Sequence, residues 1–572
     1  MEAAPVERHE QLAPMWVVHM QNLLKMKCLQ NHQELRKAGL IVECQATFLS
    51  IFVSHQWLGK GHPDKTGAQF KILQEALANI IDGFTKIELD LPMQFTGETT
   101  VLSSANREQL RNAYVWFDWF SIPQIEVKSG GNDSEEMSSH VFLSVQSIPF
   151  YVDSCKLFLA LVPTLPHNDF EDVSCNYCTW LDRGWCRPEI WCNLLSHNRE
   201  APMILVRDAD QAEFAMPIHW VHSSAQEGNF AVESDREKVA QVMRTAFRSK
   251  LASLKGNREQ VDLFRYLAAV QYRLLQLPRP SLSLESFVDH FGFEKPELTA
   301  SQGMVPLACA VLSEDLEMVE RLVTQYSAQL DVRLPGIAEV GLTRGRTPLH
   351  LAAMTGGPMV RQLLQLRADP NGCNTVGMSA LGYSRSCEAV EVFLEQQADV
   401  NYTAPPGGLT PLAVASLFCA PTPVVQLLIR RRADVNHRGY GGAAAPLTCL
   451  AVPADGNPCL AEQVRCLVAG RADVNLCGEP TGALRVFELA CRATSCIRTQ
   501  SSLERIFAEI STTPLGFACL LGREPLVQLL LEQRADPEIR NNRGHAALEL
   551  AKRDTVQLLL QNFQLAPKGV SV

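Results

Sequence analysis

A short phrase, Ala-Asp-x-Asn, returns at nearly regular intervals along the C-terminal half of this chain. It occurs at 368–371, 398–401, 433–436 and 472–475, and as Ala-Asp-Pro-Glu at 535–538. A second phrase, Thr-Pro-Leu or Ala-Pro-Leu followed by apolar residues, precedes most of these copies, at 347–353, 410–415, 445–451 and 513–518. Such recurrence is typical of repeat architectures, in which each unit buries its apolar face only by stacking on its neighbours.

Each repeat is predicted to form two short helices and a turn. Thr and Pro suit a helix start, and Asp and Asn suit the turn. The two phrases resemble the ankyrin repeat, whose period is about 33 residues. The resemblance implies an all-α ankyrin-repeat solenoid over residues 301–565 with seven clear units. The step from 445 to 513 spans two periods, so we expect a degenerate eighth unit near 479–510.

The composition excludes several classes of protein. A net charge of −10 and a pI near 5.8 argue against a nucleic-acid binder, which would show a basic face. No apolar run approaches the length of a membrane span, so none is expected. We expect no secretory signal at residues 1–10, and the 18 scattered cysteines suit reduced thiols. We therefore expect a cytoplasmic protein.

The N-terminal half lacks the repeat and alternates strands with helices. Short apolar strands are predicted at 47–53, 113–118, 157–162 and 203–207. This alternation predicts a flavodoxin-like α/β domain over residues 46–210, with a parallel sheet between helices. A helical extension over residues 1–45 is expected to precede it, and a helical connector over 211–300 to follow it.

Three motifs of this domain resemble the Toll/interleukin-1-receptor (TIR) family. They are Phe-Val-Ser-His-Gln-Trp at 52–57, Trp-Phe-Asp-Trp-Phe-Ser at 116–121, and Arg-Gly-Trp-Cys-Arg-Pro-Glu at 183–189. The family has a strand ending in a Ser-containing loop, an Asp on its second conserved strand, and a late Trp-Cys-x-x-Glu, matched by Trp185, Cys186 and Glu189. The resemblance implies a TIR-like fold and self-association of the domain.

In enzymatic TIR domains the Glu of the last motif is catalytic in splitting NAD at its nicotinamide ribosyl bond. The resemblance thus implies Glu189 as a catalytic residue, with NAD as a substrate rather than a bound cofactor. A carboxylate suits this reaction because positive charge develops on the ribose. Ligands of parallel sheets lie beyond the carboxyl ends of the strands. The predicted substrate-binding residues are Ser54, His55, Trp57, Asp118, Trp119 and Trp185.

Two alternatives stay open at this point. Glu189 follows Pro188 near a helix start, where a carboxylate also favours the helix dipole without any catalytic role. Cys175 and Cys178 form a Cys-x-x-Cys pair that could begin a zinc site with later cysteines. However, Cys186 and Cys192 lie six residues apart on a predicted helix and so on different faces. We therefore expect no bound metal.

Two functions follow from these observations. The first is an interaction and signalling scaffold that binds partner proteins through the concave surface of its ankyrin array, with the TIR-like domain assembling or signalling. The alternative is an effector that cleaves NAD, with the array as its sensor. The repeats alone do not name the partner.

Overall fold

The computed structural model describes residues 10–94, 102–124, 133–198, 201–215, 217, 220–294, 303–326, 328–494, 497 and 500–565. Two compact units divide the chain. The sheet unit comprises Met1–Arg279 with Ala338–Gly341, and the helical unit comprises Pro280–Ile337 with Leu342–Val572. The prediction that no secretory signal is present concerns the start of the chain, and residues 1–9 lie outside the described residues. Among the helices that are described, none is long and apolar enough to cross a membrane.

The sheet unit is built around seven strands. A separate two-stranded ribbon is formed by β6 and β7. The strands are β1 (Trp16–His19), β2 (Ile41–Glu43), β3 (Ser50–His55), β4 (Tyr114–Phe117), β5 (Leu157–Leu161), β6 (Leu165–Pro166), β7 (Ser174–Cys175), β8 (Met203–Asp208) and β9 (Gln211–Ala215). The order across the main sheet is β2-β1-β4-β3-β5-β8-β9.

Twelve α-helices are described in the sheet unit. They are α1 (Met20–Lys25), α2 (His32–Lys37), α3 (Ala68–Asp82), α4 (Leu91–Gln94), α5 (Ser104–Leu110), α6 (Asp118–Ser121), α7 (Asp133–Gln146), α8 (Ile148–Ser154), α9 (Tyr177–Asp182), α10 (Cys186–Leu195), α11 (Asp235–Leu254) and α12 (Val261–Leu274). α10 packs against α11, and α11 packs against α12.

Helices cover both faces of the central strands. Alternate residues of β3 point to opposite faces of the sheet. Ile51 and Val53 share one core with residues of α3, while Phe52 stacks on Trp116 on the other face, with ring centroids 4.2 Å apart. Tyr151 of α8 packs against Trp116 there. This burial on both sides explains the continuous apolar run Ile51–Val53 in the middle of β3.

The sheet is mixed, which corrects the prediction of a parallel sheet. The four predicted strands, β3, β4, β5 and β8, are indeed parallel to one another. The edge strands differ: β1 is antiparallel to β4 and to β2, and β9 is antiparallel to β8. Only two residues separate β8 from β9, and such a short turn joins antiparallel strands.

The domain limits also differ from those predicted. The expected helical extension over 1–45 contributes β1 and β2 to the main sheet, besides α1 and α2. Val17 and Val18 are fully buried in β1, since β-branched residues pack well on a pleated surface. The predicted connector over 211–300 begins with β9, and its residues as far as Arg279 belong to the sheet unit.

The helical unit contains sixteen α-helices in the part of the chain that is described. They are α13 (Leu284–His290), α14 (Pro306–Leu312), α15 (Leu316–Tyr326), α16 (Pro348–Thr355), α17 (Gly357–Gln365), α18 (Cys387–Glu395), α19 (Pro411–Leu417), α20 (Thr422–Arg430), α21 (Pro446–Cys449), α22 (Leu460–Ala469), α23 (Gly482–Thr494), α24 (Ser502–Ala508), α25 (Pro514–Leu521), α26 (Glu524–Glu532), α27 (Ala547–Leu550) and α28 (Asp554–Leu565). A 3₁₀ helix at Ala380–Tyr383 stands where another first helix is expected.

Seven helix pairs of the described chain stack into one array. The first helices form a row in the order α14, α16, the 3₁₀ helix, α19, α21, α25 and α27. The second helices form a parallel row in the order α15, α17, α18, α20, α22, α26 and α28. At the start of α16, His350 bonds Thr347 through Nδ1 and the Met378 carbonyl through Nε2. His350 therefore forms a capping box with Thr347 at the start of α16.

Hydrogen bonds at the recurring Ala-Asp-x-Asn phrase join the loops that follow the first six helix pairs. Within one copy, the Asp side chain accepts a hydrogen bond from the backbone N–H two residues later, as at Asp369 and Asn371. Between copies, a side-chain oxygen accepts from the backbone N–H of the next Asp, at 2.7 to 3.1 Å. These bonds link Asp331 to Asp369, Asn371 to Asp399, Asn401 to Asp434, Asn436 to Asp473, and Asn475 to Asp536. We call this series the loop ladder.

The segment at 479–510, predicted as a degenerate repeat, is an insertion outside the stack. Its helices α23 and α24 form a hairpin, while α21 and α22 pack directly against α25 and α26. The loop ladder passes over it, since Asn475 bonds Asp536. The two ends of the insertion meet, because the backbone N–H of Gly478 donates to the Thr512 carbonyl at 3.1 Å. The array therefore has seven units and one inserted hairpin.

Candidate functional site

Six of the seven predicted site residues converge at one edge of the main sheet. Ser54 and His55 end β3, and Asp118 follows β4 directly. Because β3 and β4 are parallel neighbours, their carboxyl ends lie at the same edge. Trp57 and Trp119 each follow closely along the chain, and Glu189 of α10 reaches the same place.

Glu189 and Ser54 form the first part of the site. Ser54 Oγ lies 2.5 Å from Glu189 Oε2, within hydrogen-bonding distance. The indole N–H of the fully buried Trp180 donates to the same Ser54 oxygen at 3.1 Å. Glu189 is partly exposed as a whole residue, and Ser54 beside it is buried.

His55 and Asp118 form the second part. His55 Nε2 lies 2.7 Å from Asp118 Oδ1, and its Nδ1 lies 2.9 Å from Gln69 Oε1. The Trp57 indole N–H donates to the other Asp118 oxygen at 2.7 Å. The His55 ring also stacks on Phe117, with centroids 4.0 Å apart. Contacts on both of its ring nitrogens and on one ring face fix the orientation of His55.

The two carboxyl groups have pKa values displaced in opposite directions. Burial raises the pKa of Glu189 to about 8, against the hydrogen bond from Ser54 and with a contribution from the charge of Asp118. Burial alone would raise the pKa of Asp118, but the charge of His55 and hydrogen bonds from His55 and Trp57 outweigh it. The pKa of Asp118 therefore lies below its usual value.

The His55 imidazole is correspondingly favoured in its charged form. Burial opposes that charge, but the attraction and hydrogen bond of Asp118 raise the pKa of His55 above its usual value. These directions favour an Asp118–His55 ion pair beside a protonated Glu189. In many catalytic sites one carboxyl group is protonated while a neighbouring one is ionised, because their environments displace the two pKa values in opposite directions.

Aromatic rings line the exposed side of this site. Trp57 and Trp119 meet edge to face with centroids 5.6 Å apart, and both are partly exposed. The His62 ring lies 4.7 Å from Trp119. Flat apolar surfaces beside a carboxyl pair could stack a base or a pyridine ring.

Trp185 does not join the site, which corrects its predicted role. Its indole N–H donates to Asp235 of α11 at 3.0 Å. Trp185 is the residue just before α10, whereas Glu189 lies in the first turn of that helix, so the two side chains leave the backbone at different places. Trp180 takes the buried indole position instead, and sequence reasoning missed it. A tryptophan on a short apolar helix has the same sequence pattern whether it packs in a core or supports a site.

The cysteines of α10, Cys186 and Cys192, are buried thiols. Among the residues described, no group of three or more His, Cys, Asp or Glu side chains could hold a metal ion. The Cys186 thiol instead donates to the His55 carbonyl at 3.6 Å. Burial raises the pKa of Cys186 well above its usual value, and Cys192 shifts in the same direction. Both thiols therefore stay protonated at neutral pH.

The helical unit presents a second surface of interest along its connecting loops. Each loop runs from the Ala-Asp-x-Asn phrase to the next first helix, and the ladder holds successive loops in line. Tyr440, in the loop before α21, is 52% exposed. Pro405 and Pro406 are exposed in the loop before α19. The array thus displays an aromatic side chain on a row of loops fixed to one another.

Family models for ankyrin repeats match much of the helical unit. One model, described as ankyrin repeats in three copies, matches residues 307–404. A single-repeat model matches 407–440 and 512–542. The unmatched stretch between them contains α21 and α22 together with the inserted hairpin.

Solved structures with ankyrin repeat domains are also similar to this chain. One is the ankyrin repeat domain of Bcl-3, described as a unique member of the IkappaB protein family. It is 24% identical with a TM-score of 0.31, and the match covers 46% of this chain and 100% of that one. The human ASB11 ankyrin repeat domain is 19% identical with a TM-score of 0.30, over 46% of this chain and 100% of that one. On the evidence of the matching family models, the C-terminal half of this chain is built of ankyrin repeats, which point to protein–protein interaction.

Proposed function

We propose that this protein is a signalling scaffold whose ankyrin array binds a partner protein along its connecting loops and concave surface. The observation that carries the proposal is the row of loops held in line by the loop ladder, with Tyr440 exposed among them. Rigid loops lose little conformational freedom on binding, which favours affinity. Exposed tyrosines are enriched among the residues that dominate interface energies.

Substitution of Tyr440 tests this proposal. Tyr440→Ala is expected to lower recovery of the array's partner by about tenfold in quantitative affinity capture, because an anchoring aromatic side chain is removed. Phe84→Ala is a matched control, since Phe84 is an aromatic residue of the sheet unit that is 81% exposed. Equal recovery by wild type and Tyr440→Ala would exclude the loop surface around Tyr440 as the binding site.

A second function is supported by the site in the sheet unit. We propose that residues 46–210 cleave NAD at its nicotinamide ribosyl bond, as the TIR resemblance implies, with Glu189 as the catalytic residue. The convergence of Glu189, Ser54, His55 and Asp118 at the carboxyl ends of β3 and β4 favours this function. Self-association of this domain stays a prediction of the same resemblance.

The geometry suggests how each group would act. Trp57 and Trp119 would stack a ring of the dinucleotide. The cationic nicotinamide ring beside Glu189 would favour the ionised carboxylate, so substrate binding would release the proton that Glu189 holds when the site is empty. The ionised Glu189 could then stabilise positive charge on the ribose as nicotinamide leaves and water attacks. Asp118 would hold His55 in place beside the site, with both ring nitrogens of His55 already bonded to Asp118 and Gln69.

Nicotinamide release measures this activity directly. The purified full-length chain incubated with NAD is expected to release nicotinamide, and Glu189→Gln to reduce release to background, because the amide cannot carry negative charge. Glu43→Gln, on an exposed edge strand, should retain wild-type release. Tryptophan fluorescence would verify folding of each variant. No release by wild type, or equal release by Glu189→Gln, would reject Glu189 as the catalytic residue.

A further inference from the structure

Gln69 of α3 contacts two successive residues where β3 ends, and it is almost fully buried. Its Nε2 lies 3.2 Å from the Gln56 carbonyl oxygen, and its Oε1 lies 2.9 Å from His55 Nδ1. A backbone carbonyl only accepts hydrogen bonds, so the Gln69 atom that faces Gln56 is the amide nitrogen. The orientation of the Gln69 amide is thereby settled, and its oxygen faces His55.

This orientation places a proton on His55 Nδ1. An amide oxygen also only accepts, so the contact with Gln69 is a hydrogen bond only when Nδ1 carries a proton. A bare Nδ1 would set two lone pairs against each other inside the protein, where a hydrogen bond left unmade is costly. Gln69 therefore excludes the form of His55 in which Nδ1 is unprotonated.

The second ring nitrogen of His55 carries a proton as well. His55 Nε2 lies 2.7 Å from Asp118 Oδ1, so one proton lies between the two atoms. Asp118 also accepts from the indole N–H of Trp57 and from the backbone N–H of Trp119. Bonds donated to a carboxylate favour its charged form, and imidazole is the stronger base. The proton therefore resides on His55, which is an imidazolium.

The groups around His55 suit this positive charge. The charges of Asp118 and Glu189 both favour it, whereas burial opposes it. Cys186 contributes a neutral thiol that donates to the His55 carbonyl. Because Gln69 and Asp118 each bond one ring nitrogen, His55 cannot exchange protons with a substrate while these bonds hold.

We propose that Gln69 is a positioning residue that keeps His55 as a fixed cation beside Asp118 and Glu189. The charge of Asp118 opposes ionisation of Glu189, and the charge of His55 favours it. Gln69 thus acts on Glu189 through His55. Its effect on catalysis rests on the proposed cleavage of NAD, whereas its effect on the charge of His55 does not.

The nitrogen NMR spectrum of the histidine side chains tests this proposal. The two ring nitrogens of an imidazolium resonate close together, whereas those of a neutral ring resonate far apart. The full-length chain with ¹⁵N-labelled histidine would be measured at about pH 8, where an ordinary histidine is neutral. The two His55 signals, assigned by their loss in His55→Asn, are expected close together. In Gln69→Met they should move apart, because a thioether is a weak acceptor and Nδ1 can lose its proton.

Two variants separate the role of Gln69 from a general loss of structure. Gln69→Glu keeps an acceptor opposite Nδ1, so His55 should remain an imidazolium. Gln109→Met makes the same change as Gln69→Met at an exposed residue of α5, and it should leave the His55 signals unchanged. A neutral His55 in wild type or in Gln69→Glu, or an imidazolium that persists in Gln69→Met, would overturn the proposal. Tryptophan fluorescence would verify folding of each variant.

Nicotinamide release measures the consequence for catalysis. Gln69→Met is expected to lower kcat/KM by about tenfold, the order of one hydrogen bond to a charged group. Its profile of kcat/KM against pH should also move to higher pH, because the charge of Asp118 is no longer offset and Glu189 ionises less readily. An unchanged profile in a variant with neutral His55 would overturn the action of Gln69 on Glu189. No release by wild type would reject NAD cleavage alone, since the nitrogen spectrum decides the charge of His55 independently.

Discussion

Glu189→Gln is expected to stabilise the sheet unit by on the order of 3 kcal/mol at about pH 8, and to change its stability little near pH 5. The cause is the displaced pKa of this carboxyl group, which burial raises from its usual 4.5 to about 8. Between these values the folded protein holds a proton that the unfolded chain has released. The free energy of unfolding therefore falls as pH rises across this interval.

The sign of the effect follows from the same proton. Below pH 4.5 both states of the chain carry it, so the protonated Glu189 contributes its full share of stability. Above about pH 8 the folded protein must hold a buried negative charge, and that contribution is lost. Glutamine has the shape of the protonated acid and never ionises, so the variant should lack this pH dependence.

Tryptophan fluorescence offers a clean measurement, because all eight tryptophans lie between Trp16 and Trp220 in the sheet unit. Urea unfolding followed by this signal at several pH values reports on that unit alone. Glu43→Gln removes an exposed carboxyl group and should keep the wild-type slope against pH. If wild type and Glu189→Gln show parallel slopes from pH 5 to 8, the raised pKa of Glu189 would be disproved.

Gly377→Ala is expected to destabilise the ankyrin array by about 3 kcal/mol. Gly377 lies in the connecting loop before the 3₁₀ helix with φ of +85°, where a side chain is disfavoured. A methyl group there would lie 2.1 Å from the Ala404 carbonyl oxygen and 2.8 Å from that of Pro405. Both oxygens belong to the backbone of the next loop, so relief requires two neighbouring loops to separate.

Two other glycines separate the cost of a positive φ from the cost of the steric clash. Gly544 has φ of +83° with nothing within 4 Å of an added methyl group, so Gly544→Ala should cost only about 1 kcal/mol. Gly407 has neither a positive φ nor a near neighbour, and Gly407→Ala should be close to neutral. Circular dichroism at 222 nm would follow the helices, while tryptophan fluorescence should stay unchanged. Equal losses at Gly377 and Gly544 would contradict the steric argument.

The repeat phrases predicted the array well because their physical role is local and constant. Each Asp closes its own turn and each Asn of the phrase bonds the following loop, so both residues recur along the array. The positive φ of these turns, however, falls on the residue before Ala-Asp, such as Arg367 and Arg432, rather than on Asp or Asn. Those residues end the preceding helix, and helices commonly finish in the left-handed conformation.

The inserted hairpin was misread because its length equals one repeat. A step of two periods predicted a hidden unit, but the stacked units on either side of the hairpin both carry the Ala-Asp phrase and bond each other directly. No copy of the phrase lies between 475 and 535, and that absence was the informative signal. Spacing alone cannot distinguish a stacked unit from an insertion of the same length.

The sequence predicted the site residues whose positions are set by the end of a strand. It missed or misplaced those whose positions depend on tertiary packing. Ser54, His55 and Asp118 follow directly from two parallel strands that end at one edge. Trp185 and Trp180 depend on how α9 and α10 pack, which neither periodicity nor motif spacing encodes. The strands β1 and β2 also escaped prediction, and the three residues of β2 are too few to show an alternating pattern.

The hydrogen bond between Gly478 and Thr512 has a consequence for how this array could change in evolution. Because it holds the two ends of the hairpin together, the segment between them closes a loop without pulling on the units at either side. Segments of other lengths or sequences could therefore occupy this place while the solenoid keeps its register. New binding specificity can therefore be gained or exchanged by a change of the inserted segment at this junction, while the sequences of the repeats stay the same.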